Sequence, residues 1–374
     1  MRHAVNSGRP TKSNKFVLYA ASVAVLIVVA IIALGALELT LRWFFPQTVR
    51  AVGDSTPISM NDPLLGVVLK PGARASVAGP EYNATYVINS EGIRDETPHS
   101  RPKPAGVTRV LVVGDSFTFG IGNDYPNIWP VLVEKGLNGT GQRVELVKAG
   151  VPSYDTRTEY LLGRRLINRY QPDLILMAFL MNDLYTNLPS DWKPESDTAA
   201  RKLMNPTQHS DMQIVAGLQR LFMQDDDLYI RLFMLTSRRQ YYAARATPLV
   251  TRQMEITRKL IAECAEYFRS QGATFVVVSI PQLFEVLVKA SDVQPKGLDV
   301  DWVNRDLAKL AFTSGFDFLP SSDAFAKAYR NKSKRLYYRL DGHLTNDGNR
   351  VLADYLLAKL SKILASRQMA QAPL

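Results

Sequence analysis

The sequence predicts a doubly wound, mostly parallel α/β sheet flanked by helices and preceded by one N-terminal transmembrane helix. Three observations predict it. Phe16 to Leu37 carries no charge, between Lys15 and Glu38. The run Val110-Leu111-Val112-Val113 is unbroken and apolar, as a strand covered on both faces must be, and it stops at Gly114-Asp115-Ser116. From Arg109 onward, strand-length apolar runs alternate with helical patterns, which puts helices on both faces of one sheet.

The elements follow in order. At 1.5 Å per residue the uncharged stretch spans roughly 33 Å, enough for a hydrocarbon layer of about 30 Å. Trp43, Phe44 and Phe45 supply an aromatic belt, and Pro46 can stop the helix. Arg2, Arg9, Lys12 and Lys15 precede the span, while Arg42 and Arg50 follow it. That excess keeps a tail (1–15) in the cytoplasm, makes 16–41 a single-pass inner-membrane anchor and puts the rest in the periplasm or exterior. A cleaved signal peptide is the rival reading, with Ala33-Leu34-Gly35 as its site, but such apolar regions usually run to only about 7–15 residues.

Residues 46–108 form a prelude punctuated by prolines, in which Tyr82 to Ile88 alternates like a short strand. The main domain spans 109–366. Strands are expected at about 109–114, 143–148, 173–180, 273–280 and 316–319, and helices at about 128–138, 156–169, 250–271, 302–314 and 344–366. The interval 186–249 breaks this rhythm. It begins polar and then holds apolar helical patches (Leu218, Leu221, Phe222; Leu228, Ile230, Leu232), so it reads as a partly helical insertion near the strand ends, of the kind that forms lids.

Composition narrows the function. A chain of 374 residues buries a core without disulfide or metal staples. Its one cysteine, Cys264, falls in a helical pattern and reads as a small core hydrophobe. The net charge of +10 suits anionic headgroups or acidic envelope polymers. No basic run interleaved with aromatics and no recognised nucleic-acid motif is present, and for a domain tethered outside the membrane nucleic acid is not an expected partner. Asp225-Asp226-Asp227 reads as a solvated face, because three consecutive acids cannot converge on one metal. There is no His-Glu-x-x-His, and neither metal nor cofactor is expected.

The chemistry centres on Ser116. A serine at the carboxyl end of a parallel strand faces the crevice where open α/β sheets bind ligands, although Gly-Asp-Ser is also an ordinary turn. A serine hydroxyl needs a base, usually histidine. Of four histidines, His3 falls on the cytoplasmic side, His99 in a proline-rich linker and His209 in the polar part of the insertion. His343 is left, with Asp341 two residues earlier to orient it. The same loop is also a helix start, with Thr345 as N-cap. Gly150 and Asn182 end two further strands and offer donors for a developing oxyanion, although both are also common strand terminators.

At these residues the chain resembles the SGNH (GDSL-like) hydrolase superfamily, over about 109–366 with the insertion unmatched. The resemblance implies Ser116 as nucleophile, Gly150 and Asn182 in the oxyanion hole, Asp341 and His343 in the last block, and Asp115 and Asp183 in support. The prelude, from Asp62-Pro63-Leu64-Leu65-Gly66 to Asn89-Ser90-Glu91-Gly92-Ile93-Arg94, is similar to that of membrane-anchored bacterial members tied to acylation or deacylation of envelope glycans. Two departures stand out. Leu180 occupies the glycine position of Gly-x-Asn-Asp, and the last block is Asp-x-His rather than Asp-x-x-His, which leaves a Ser-His dyad open.

The expected activity is that of a serine-dependent acyl-ester hydrolase or O-acyltransferase, acting on O-acetyl groups of an envelope carbohydrate. The expected partners are an ester-bearing glycan or small ester, the inner membrane and a multi-span membrane acyl donor protein. The reading from another class is a catalytically silent glycan-binding or scaffold subunit.

Overall fold

The computed structural model describes residues 12–44, 56–79, 81–187, 212–291, 295–331 and 335–371. Helix α1 (Lys12–Phe44) contains an apolar segment, Phe16–Phe44, whose most apolar 18-residue window has mean hydropathy 2.9 and is nowhere buried against protein. By length and composition it can cross a membrane.

Two antiparallel hairpins follow, β1 (Ser59–Asp62) with β2 (Gly66–Leu69) and β3 (Arg74–Ala78) with β4 (Asn83–Val87). The central sheet has five strands among the described residues, all parallel: β5 (Thr108–Gly114), β6 (Val144–Gly150), β7 (Leu174–Leu180), β8 (Thr274–Ile280) and β9 (Asp317–Pro320). Their spatial order is β6-β5-β7-β8-β9. Each lies within two residues of its expected position. The order reverses beside β5, and the crevice at such a switch point, off the carboxyl ends of the strands, is where these sheets take ligands.

The apolar runs explain the layers. Along β5, Leu111 and Val113 join one buried cluster and Val110 and Val112 join the other, so the strand has a core on both faces. All seven residues of β7 are buried. Full burial of each Val or Leu stabilises by about 1.5–3 kcal/mol. The covering helices include α2 (Ser116–Phe119), α3 (Trp129–Gly139) and α4 (Thr156–Tyr170), with α5 (Met181–Thr186) starting directly from β7. Beyond them lie Pro248–Ser270, Trp302–Ser314 and the final helix Asn346–Gln371, which extends five residues past its expected end. Cys264 is fully buried.

Within the insertion, helices form at Gln213–Gln224 and Asp226–Met234, while 188–211, with His209, lies outside the described residues. The acidic triplet is not merely solvated. Asp225 accepts from Leu228 N at 2.8 Å as a helix cap, and Asp226 pairs with Arg339 and accepts from the Tyr329 hydroxyl at 2.8 Å. No acid or histidine cluster suited to a metal occurs among the described residues.

The prelude is bound to the sheet by buried charge. Lys148 on β6 lies 2.8 Å from both Asp95 and Glu134. His99 stands between Glu145 at 2.6 Å and Asp95 at 3.2 Å. Burial pulls the imidazole down, but the two carboxylates outweigh it and raise His99 to about 9. The linker histidine is therefore a cation that fastens the prelude to β6.

Candidate active site

Strand β5 ends at Gly114, where a Cβ would sit 2.0 Å from Thr118 Oγ1, so only glycine lets the next turn fold back this closely. The chain then turns at once into α2. Asp115 caps that single turn, its Oδ1 accepting from Phe117 N at 2.8 Å, and Gly120 closes it in the left-handed region with φ +85°. Ser116 is thus the first residue of a helix mounted on a strand end.

The Ser116 Oγ lies 2.7 Å from His343 Nε2. His343 Nδ1 is hydrogen-bonded to Asp341 Oδ1, which also accepts from the His343 backbone N–H at 3.1 Å. The short Asp-x-His spacing therefore joins both side chains. Gly342, with φ +86°, makes this geometry available, and its N–H donates to Tyr338 O at 2.7 Å while Tyr338 N donates to His343 O at 2.9 Å. The helix-start reading of the loop also holds, since Thr345 Oγ1 accepts from Gly348 N at 3.3 Å just before Asn346.

The other strand ends converge on the same turn. Gly150 pairs in register with Gly114, and a Cβ on it would fall 2.4 Å from Phe119 N, so only glycine lets α2 lie over β6. Asn182 Nδ2 donates to Asp115 Oδ2 at 3.0 Å, which ties the third strand end to the serine turn. Gln282, two residues beyond β8 and capping the next helix, approaches Asn182 Oδ1 through its Nε2 at 3.5 Å. Asp183 faces inward, not toward the cleft, its Oδ2 accepting from Leu180 N at 3.2 Å across the start of α5. Leu180, where glycine was expected, is fully buried in the core.

The acids divide by environment. Burial pushes Asp341 up, but the His343 charge and three hydrogen bonds prevail and hold it below its ordinary value. Burial pulls His343 down, but the Asp341 carboxylate, its hydrogen bond and the Asp115 charge raise it above 6.5. Beneath them, burial raises Asp115, and burial with neighbouring negative charge raises Glu159 and Asp183 well above the usual carboxylate range. Neither Glu159 oxygen has a hydrogen-bond partner among the described residues, which fits a neutral acid. An aligned serine, imidazole and ionised carboxylate is an arrangement able to activate a hydroxyl for attack on an ester carbonyl.

Sequence reasoning missed the prelude's grip on this site. Tyr82 donates its hydroxyl to Asp341 Oδ2 at 3.1 Å. The Glu81 carboxylate accepts from the N–H groups of Arg339 at 3.0 Å and Leu340 at 2.6 Å, in the His343 loop. The buried Arg94 guanidinium packs against both the Tyr86 and Phe119 rings and donates to the carbonyls of Phe119, Gly120 and Asn123, around the end of α2. The alternation around Tyr82 marked a strand, but nothing local marked what its hydroxyl would reach. A neighbouring cleft of about 860 Å³, lined by Asp226, Tyr329 and Arg339 among others, includes none of Ser116, Asp341 and His343.

The GDSL-like Lipase/Acylhydrolase family matches residues 112–351. No curated protein is significantly similar in sequence. Among solved structures, TesA is 15% identical, with 68% of this chain and 98% of that one covered and a TM-score of 0.40. The esterase EstA of Pseudoalteromonas sp. is 10% identical, with 69% and 99% covered and a TM-score of 0.42. A catalytic variant of the acetylxylan esterase Axe2 of Geobacillus stearothermophilus is 12% identical, with 67% and 93% covered and a TM-score of 0.41.

Proposed function

The chain belongs to the GDSL-like lipase/acylhydrolase family of SGNH hydrolases, and from that premise we propose that it is a serine-dependent acyl-ester enzyme using Ser116, His343 and Asp341. The observation that carries the reading is the unbroken line from Ser116 Oγ through both His343 nitrogens to Asp341. His343 Nε2 takes the Ser116 proton as Oγ bonds to the ester carbonyl carbon. The carbonyl oxygen becomes an oxyanion facing the N–H groups of Ser116 and Gly150 and the Asn182 amide. The first N–H groups of a helix have no intrahelical partner, which suits Ser116 to this task. Collapse breaks the ester C–O bond, and the leaving alkoxide takes the proton from His343. Water or a sugar hydroxyl, deprotonated in turn by His343, then releases the acyl group.

The preferred substrate class is an O-acyl, chiefly O-acetyl, ester of an envelope carbohydrate. The likeness of the prelude to anchored bacterial members supports that choice, as does the apolar α1, which we read as an uncleaved inner-membrane anchor with the domain outside. In the transferase form the acyl group arrives from a multi-span membrane donor. A serine-reactive fluorophosphonate probe tests the reading on the full chain. Labelling is expected, with its loss in Ser116→Ala. A folded native chain that does not label would favour the silent glycan-binding subunit.

A further inference from the structure

The helix Gln213–Gln224 is turned the wrong way for a helix facing water. Ala216, Gln219 and Met223 face the protein and are buried, Gln219 to 6% exposure. Leu218, Leu221 and Phe222 face outward, at 45%, 67% and 36% exposure. Against water this stripe would belong inside.

Its position says what covers it. The helix start is fixed to α1, where the Glu38 carboxylate accepts from Gln213 N at 2.8 Å and Ile214 N at 2.9 Å. Glu38 is the first charged residue after the uncharged run that ends at Leu37, so it stands where the chain would leave the hydrocarbon. Trp43 and Phe44, at the same end of α1, are 81% and 72% exposed, as aromatic residues are at headgroup level. A helix of 12 residues is only about 18 Å long, so the whole stripe stays near that boundary.

We infer that Gln213–Gln224 lies along the surface of the bilayer that α1 crosses, with Leu218, Leu221 and Phe222 inserted at the headgroup and acyl-chain boundary. The inference rests on the reading of α1 as an uncleaved anchor. The insertion is then a membrane-seated foot that fixes the catalytic domain's orientation, not a free lid.

The test uses the full chain in vesicles of phosphatidylethanolamine and phosphatidylglycerol. Cys264 is fully buried, so a fluorophore goes to an added cysteine, as Leu221→Cys or, should that variant misfold, Phe222→Cys. Lys259→Cys, on an exposed helix position, serves as the water reference, and Leu26→Cys as the lipid reference. The label at 221 should be quenched by lipids carrying a shallow nitroxide and be about fivefold less sensitive to aqueous iodide than the label at 259. Iodide quenching equal to that at 259 would overturn the inference. Protection from both quenchers would overturn it too, by showing a protein cover. Failure of the full chain to float with vesicles, or a species lacking residues 1–35, would instead overturn the anchor reading and the inference with it.

Discussion

Replacing Tyr82 with Phe deletes one oxygen, the hydroxyl that donates to Asp341 Oδ2 at 3.1 Å. The ring keeps its packing against Tyr338, with centroids 4.9 Å apart, and Tyr82 is only 8% exposed, so the fold should survive. A hydrogen bond to a charged group contributes about 1.5–3 kcal/mol. Only the part that holds the carboxylate in line as the imidazolium forms is felt in the rate. Taking about half, or roughly 0.8–1.5 kcal/mol, gives about a four- to twelvefold fall in kcat. KM for a short-chain aryl ester should be unchanged, because Tyr82 contacts the acid rather than the substrate. A double-mutant cycle isolates the route. Asp341→Asn alone should lower kcat by about 10³–10⁴ through the wrong imidazole tautomer. In that background Tyr82→Phe should cost less than about twofold, since the interaction it perturbs is already gone. An equal loss in both backgrounds would mean that Tyr82 acts through the fold and not through Asp341. Near-native rates in Asp341→Asn would mean that a Ser-His dyad suffices.

Three other outcomes follow from the same geometry. His343 must be neutral to accept the Ser116 proton and its pKa is raised, so the acid limb of kcat/KM should fall above pH 6.5 in the native chain; a limb below that value would contradict the environment assigned to the imidazole. Asn182→Ala should lower kcat by about 10²–10³ with little change in KM, and an effect confined to KM would restrict Asn182 to substrate positioning. His99, raised to about 9 when folded against 6.5 as the ordinary value, contributes stability that is fully present below pH 6.5 and disappears as pH rises through 9. Thermal melting should therefore decline across that window by the equivalent of about 3 kcal/mol, and His99→Gln should flatten the decline; identical profiles would refute the cationic role.

Sequence carried the strands well because a strand covered on both faces must be apolar throughout. The strand-end logic brought Ser116, Gly150 and Asn182 to adjoining positions, since each follows a run of the same parallel sheet. Elimination reached His343, which the structure places 2.7 Å from Ser116. Tyr82 and Asp341 are separated by 259 positions, and a single hydroxyl leaves no periodic trace of so distant a partner. Gln282 and Arg94 were hidden for the same reason. The insertion misled in a different way. Leu218, Leu221 and Phe222 carry the spacing of a core-facing stripe, and only three-dimensional placement reveals that Gln219 points in while they point out. Periodicity identifies an apolar face but not the medium that receives it.

Arg94 sets a practical limit on cutting this chain. The matched family region begins at residue 112, yet Arg94 lies outside it and donates to the carbonyls of Phe119, Gly120 and Asn123 within it. A recombinant fragment trimmed to the matched region would leave those three oxygens without their guanidinium, expose the Phe119 face that Arg94 covers, and remove the Asp341 donor as well. Each change strikes the turn that carries Ser116 or the loop that carries His343. A chimera that grafts this candidate site onto another scaffold must therefore transfer the two hairpins with it, with the junction placed ahead of residue 56.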